Sequence, residues 1–234
     1  MAAKNPSRGN HEGQPIDVSA TDSFTMPRIK VCGLARVEDA QHAMQVGAEA
    51  LGVVQYPPSP RSVDAQTAAK IFAVAKPSTL TVAVMVNLSA DAAFAWAETS
   101  KAKAVQLCGT ELAAEWRDFP LPILRRVGVE EAGSDEMAAW LHVASGFVLD
   151  HPSSAGGSGQ TVDYALAAEL CERGACLLAG GLHGGNVAEA VNLVQPAGVD
   201  ASSRLEDSPG IKNFELTSQF VQNAKLAFAT LAKR

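Results

Sequence analysis

Basic residues are in deficit in these 234 residues: 19 Lys and Arg stand against 25 Asp and Glu, a net charge of −6. No basic stripe is available for a nucleic-acid backbone, although a few backbone amides and one cation still suffice to hold a single anion. Cysteine occurs only four times, as Cys32, Cys108, Cys171 and Cys176. No two have the C-x-x-C spacing of a zinc or redox pair, and a chain of this length needs no disulfide staples. Reduced thiols in a cytoplasmic protein are therefore expected. The five histidines show no paired spacing on one helix face, so no metal is assigned. No apolar run approaches the ~20 residues of a membrane span. The first residues lack the apolar stretch of a secretory signal, and the G-x-G-x-x-G turn of an open dinucleotide-binding sheet is missing.

What the chain does have is apolar residues, 47% of the total, enough for a large core. They are unevenly placed. Residues 1–27 are polar, with scattered Gly, Pro, Ser and Asn, no apolar period, and three acids that argue against a transit peptide. They are expected to form a disordered N-terminal extension, with one domain over 28–234. From residue 28 short apolar runs alternate with longer amphipathic ones: RIKVCG, EALGVV, TLTVAVMV, KAVQL, PILRRV, SGFVLD, ACLLAG and AGVDAS. Strands alternating with helices imply right-handed βαβ units and a parallel sheet. Eight such units predict a closed (β/α)8 TIM barrel in preference to an open sheet, with chemistry at the C-terminal ends of the strands.

Those ends hold distinctive residues. Side chains alternate along a strand, so Lys30 and Cys32 share one face of the first run, while Ile29 and Val31 share the other and meet the helices. Lys30 beside Cys32 favours thiolate; for a lone cysteine, a small core residue beside a structural lysine is the better reading of this stretch alone. The sixth run ends in Asp150 and is followed by the glycine-rich HPSSAGGSGQTVDY. An aspartate there also serves as an ordinary helix cap. The seventh and eighth runs lead into LAGGLHGGN and VDASSRLEDSPGIKN. Gly180 and Gly181, with Ser202 and Ser203, suit the phosphate site that such barrels build from these two loops. In a closed ring strand 8 neighbours strand 1, so Cys32 and Asp150 flank the phosphate loops. A phosphorylated small molecule anchored there would have an acid on one side and a base on the other.

Taken together these stretches resemble the phosphoribosylanthranilate isomerase family of tryptophan biosynthesis, over residues 28 to about 230. The resemblance rests on KVCGLARVEDA, ALGVVQYPPSPRSV, VMVN, VQLCG, VLD with GGSGQTVDY, LAGGL-x-x-x-NV, and GVDASSRLED with PGIKN. It implies a cofactor-free Amadori rearrangement of a phosphosugar substrate, with Asp150 as general acid and Cys32 as general base. Arg36 would pair with the anthranilate carboxylate, and Asp200 would sit near the substrate. Gly157, Gly180, Gly181, Ser202 and Ser203 would line the phosphate. The chain departs from the family where Cys108 replaces a frequent histidine, Gln55 a phenylalanine, Ala35 a threonine and Arg204 a common glycine. The related aldose-ketose isomerase of histidine biosynthesis places an aspartate where Cys32 stands, which counts against it. A silent phosphosugar-binding barrel would usually have lost the acid or the base, and both are present. Of Arg125 and Arg126 one must point inward and find an anionic partner. Helix faces that pack on a barrel and on a second subunit look alike, so monomer and homodimer both stay open.

Overall fold

A computed structural model describes residues 24–130, 132–152 and 161–233. Eight parallel strands close on one another: β1 (Ile29–Val31), β2 (Ala50–Gln55), β3 (Leu80–Met85), β4 (Ala104–Leu107), β5 (Ile123–Gly128), β6 (Gly146–Asp150), β7 (Cys176–Leu178) and β8 (Gly198–Ala201). Each pairs with its sequence neighbours, and β8 pairs back onto β1 with Lys30 opposite Asp200. Every strand falls on one of the eight apolar runs, with β2 and β5 each running one residue past its end, to Gln55 and Gly128.

The connecting helices are α1 (Val37–Val46), α2 (Ala65–Phe72), α3 (Ala90–Ser100), α4 (Gly133–Trp140), α5 (Tyr164–Cys171), α6 (Val187–Val194) and α7 (Phe214–Leu231). Side-chain caps start four of them. Asp64, Ser89, Asp163 and Asn213 each accept from backbone N–H groups two or three residues on, satisfying donors that a helix start leaves open. Between β4 and β5 the crossover is only a short 3₁₀ turn, Ala113–Trp116. Beyond β8 the chain adds a feature the periodicity did not announce, an antiparallel hairpin of β9 (Glu206–Ser208) and β10 (Ile211–Lys212).

Alternation sorts the strand side chains into two layers. Ile29 and Val31, like Ala83 and Met85, join the main core between barrel and helices. Trp116 and Trp140 are buried in that same core, with Trp96 packed against it. Val82, Ala104, Leu124, Val148 and Leu177 fill the lower interior. Of residues 24–27, assigned by the sequence to the extension, Phe24, Met26 and Pro27 are packed in the structure. Phe24 and Met26 lie against the lower interior cluster, and the Met26 sulfur occupies the space beside Gly146, 2.5 Å from where a Cβ would stand. They close the bottom of the barrel and leave its upper end open. No helix among the described residues is long and apolar enough to cross a membrane.

The paired arginines of β5 split as alternation requires. Arg125 faces the helices, where Glu111 and Glu136 each lie 2.6 Å away and Trp140 covers the guanidinium. Arg126 is on the inward face with Leu124 and donates to the backbone oxygen of His151.

Candidate active site

The open end of the barrel encloses a cavity of about 460 Å3, and the sequence-derived residues Cys32, Asp150, Asp200, Gly180, Gly181, Ser202 and Ser203 all line it. Gly157 lies outside the described residues.

Cys32 follows β1 directly, its N–H donating to Ala201 O at 2.9 Å. The thiol rests over Gly52 of β2, where a Cβ would come within 2.6 Å of Sγ. Only a glycine leaves it room. Val84 and Cys108 complete an apolar collar. Beneath it Lys30 is fully buried and donates to Asp200 Oδ2 at 2.7 Å. Burial pushes the Cys32 thiol above its ordinary pKa; Lys30 pulls it down, and Asp200 pushes it up again. The expected help from Lys30 is thus present but outweighed. Burial alone would lower the Lys30 pKa, yet Asp200 and Cys32 together hold it above the ordinary lysine value. Burial likewise raises Asp200, against the pull of Lys30. Its second oxygen, Oδ1, has no hydrogen-bond partner among the described residues.

Asp150 ends β6. Its Oδ1 accepts from the His151 N–H at 2.8 Å. Burial raises its pKa, opposed by that hydrogen bond and by Arg126. A carboxyl held above its usual range retains its proton longer as pH rises, as a proton donor should. Across the mouth, Gly180 and Gly181 have φ of 83° and 62°, left-handed values that glycine adopts without strain. They turn the backbone after β7 toward the cavity, facing Ser202, Ser203 and Arg204 from the β8 side.

Arg36 requires correction. It stands at the N-cap of α1, where Asp39 takes its Nε at 3.0 Å and its Nη2 at 2.6 Å, and Glu38 takes Nη1 at 3.3 Å. It does not line the cavity. The first-turn acids of α1 capture the guanidinium on the helix side of the rim. On the β2 side of the cavity a guanidinium comes instead from Arg61, in the loop after β2. That loop folds back because Tyr56 N–H donates to Ser62 Oγ at 3.1 Å and Val63 N–H to Val54 O at 3.0 Å. Gly33, at φ 71°, makes way for it: a Cβ there would stand 2.8 Å from Arg61 Cδ and 2.6 Å from Ser202 Oγ. The signal was available in YPPSPRSV, whose prolines mark a tight excursion, but nothing local shows where the arginine returns. Gln106 was also overlooked; it lines the cavity, with Nε2 donating to Cys108 Sγ at 3.4 Å.

This arrangement is shared with known proteins. The family model described as N-(5′-phosphoribosyl)anthranilate (PRA) isomerase matches residues 29–223. The N-(5′-phosphoribosyl)anthranilate isomerase of Myxococcus xanthus (strain DK1622) is 37% identical over 203 residues, 85% of this chain and 96% of that protein. The crystal structure of phosphoribosyl anthranilate isomerase from Thermotoga maritima superimposes with a TM-score of 0.78 at 31% identity, covering 86% of this chain and 99% of the other. A structure of a phosphoribosyl anthranilate isomerase in complex with reduced 1-(o-carboxyphenylamino)-1-deoxyribulose 5-phosphate gives 0.75 at 30% identity, with coverage of 86% and 99%. A closed eight-stranded barrel, a match over nearly all of it and this degree of identity place the chain in the N-(5′-phosphoribosyl)anthranilate isomerase family of tryptophan biosynthesis.

Proposed function

We propose that this chain converts N-(5′-phosphoribosyl)anthranilate to 1-(2-carboxyphenylamino)-1-deoxyribulose 5-phosphate by general acid–base catalysis, Asp150 acting as acid and Cys32 as base. The observation that carries this reading is that a partly buried carboxyl and a buried thiol line one cavity on either side of a glycine–serine rim. Asp150 gives its proton to the furanose ring oxygen. The C1–O bond breaks, and the nitrogen lone pair forms the C1=N iminium. Cys32 thiolate then takes the proton from C2; the C–H electron pair becomes the C1=C2 double bond, and the iminium electrons return to nitrogen. The resulting enolamine tautomerises, losing the 2-hydroxyl proton and gaining one at C1, to give the ketone. No atom is lost and no redox partner is needed.

The phosphate is held by Gly180, Gly181, Ser202 and Ser203, with Arg204 adding a cation at the same side of the rim. Arg61 pairs with the anthranilate carboxylate, a partner that guanidinium suits. The four free cysteines support a reducing, cytoplasmic setting. The direct test is to mix the protein with freshly generated phosphoribosylanthranilate and follow loss of its fluorescence; no loss above the uncatalysed rate overturns the proposal.

The reassignment from Arg36 to Arg61 has its own consequence. Arg61→Met removes a charge-assisted contact worth ~1.5–3 kcal/mol, so KM is expected to rise about 10–100-fold. Arg36→Ala should leave KM within about threefold but lower the melting temperature, because it strips the guanidinium from buried Asp39. Steady-state kinetics and thermal melts on the two variants check both halves. The opposite pattern would restore Arg36 to the site.

A further inference from the structure

Among the buried charged groups that the mechanism leaves unused, one contacts an arginine of the cavity. Glu206 opens the hairpin after β8, and its carboxylate is only 4% exposed. It accepts from Arg61 Nε at 2.9 and 3.1 Å and from Arg61 Nη2 at 2.7 Å. It also accepts from Lys212 Nζ at 2.7 Å and from the Gly210 N–H at 3.3 Å. Lys212 Nζ in turn donates to the Ser202 backbone oxygen at 3.1 Å, and its own N–H donates to Asp39 at 3.2 Å. One carboxylate therefore ties the β2–α2 loop, the hairpin and the β8 rim together.

We infer that Glu206 is a positioning residue for substrate recognition: by engaging the Nε–Nη2 edge of Arg61 it aims the opposite edge of that guanidinium into the cavity, at the aromatic carboxylate. A guanidinium has five N–H donors in a fixed plane. Occupying one edge side-on fixes the plane and leaves the far edge as a preformed fork for a second carboxylate. A free arginine would otherwise lose considerable rotamer freedom on binding, so holding it beforehand strengthens binding without a new contact to the ligand. Lys212 makes the arrangement tolerable electrostatically. It offsets the Glu206 charge, so the cluster of Arg61, Lys212 and Glu206 retains one net positive charge beside the cavity. Burial opposes ionisation of Glu206, but the two cations prevail and hold its pKa below the ordinary value.

This inference rests on the reading of Arg61 given above, and the test separates the two. Kinetics on phosphoribosylanthranilate and calorimetric titrations with anthranilate and with inorganic phosphate are measured for the parent, Arg61→Met, Glu206→Gln, Glu206→Asp and the Arg61→Met/Glu206→Gln double variant. For Glu206→Gln, KM and the anthranilate Kd should rise about tenfold, with kcat within threefold and the phosphate Kd within twofold. Loss of uniform binding has that signature. Glu206→Asp should recover part of the loss. The double variant should be no worse than Arg61→Met alone, because both act through one contact. Multiplying effects, an unchanged anthranilate Kd, or an equal fall in phosphate affinity would overturn the inference. Should Glu206→Gln not fold, Glu206→Gln/Lys212→Met removes both charges together and carries the same expectations. A parent that binds anthranilate but does not turn over overturns the proposed reaction alone; a parent that does not bind anthranilate overturns the positioning role too.

Discussion

Cys32→Ser and Asp150→Asn are each expected to lower turnover of phosphoribosylanthranilate by ~10²–10⁴-fold, the usual worth of a positioned general base or acid. Their stability should respond differently from their activity. Asp150 has a raised pKa in the folded protein because burial disfavours its ionised form. A carboxyl raised in this way supports stability below its unfolded pKa, and that support is lost as pH rises through the folded value. Asparagine carries no such cost, so Asp150→Asn should melt no lower than the parent at neutral pH. Activity and stability are opposed at this position, as is common where a site needs a group that folding alone would not choose. Serine in place of Cys32 is smaller and clears Gly52, so it too should fold.

The two losses can be told apart because the proposed steps are sequential. Asp150 acts in ring opening, before any C–H bond breaks; Cys32 acts in removing the C2 proton. With substrate deuterated at C2, the isotope effect on kcat should grow in Cys32→Ser and shrink toward unity in Asp150→Asn. The reverse pattern would exchange the roles of the two residues. Near-normal turnover in either variant would remove that residue from the mechanism.

The fold was legible because it depends on patterns that are local. Eight apolar runs separated by amphipathic stretches leave little choice but a closed ring, and β8 paired with β1 as the ring required. The inward placement of Lys30 and Cys32 followed from period-two alternation alone. Assignments that failed did so where sequence proximity was a poor guide to position. Arg36 lies four places after Cys32, but it stands at the N-cap of the helix that follows, and Asp39 in the first turn captures it. Arg61 is distant in sequence and close in space, because β2 is the strand beside β1. Glu206 and Lys212 sit in RLEDSPGIKN, which reads as a solvated turn. Their burial exists only because the hairpin folds against the β2–α2 loop and α1. No local pattern encodes that contact. Met26 and Pro27 present the same problem in miniature: two residues at the end of a polar stretch, packed only because the open bottom of a barrel lies beside them.

Lys30→Met is expected to lower both stability and activity, for separable reasons. Lys30 is fully buried and its side chain forms an ion pair with Asp200 at 2.7 Å. Removing one member of a buried pair typically costs ~3–5 kcal/mol, a drop in melting temperature on the order of 10 °C for a chain of this size. The kinetic effect arises from the thiol. The reactive form has Asp150 protonated and Cys32 ionised, the reverse of the order in which a carboxyl and a thiol ordinarily lose their protons. Between the two pKa values the reactive fraction is flat with pH and falls tenfold for each unit by which the gap widens. In such a profile the acidic limb reports Asp150 and the alkaline limb Cys32. Lys30 narrows the gap by stabilising the thiolate against burial. Its loss should therefore lower the plateau and move the alkaline limb to higher pH. Adding Asp200→Asn removes the stranded carboxylate and should restore much of the melting temperature without returning the limb, because Lys30 pulls the thiol down more than Asp200 pushes it up. Rates of iodoacetamide labelling against pH, assigned to Cys32 by mass spectrometry, give an independent reading. Cys108 shares the cavity, and burial holds its thiol up to about 12, so the mass-spectrometric assignment is what keeps the two curves apart. An alkaline limb and a Cys32 labelling curve that both stay where they are in Lys30→Met would show that the lysine serves the fold and not the base.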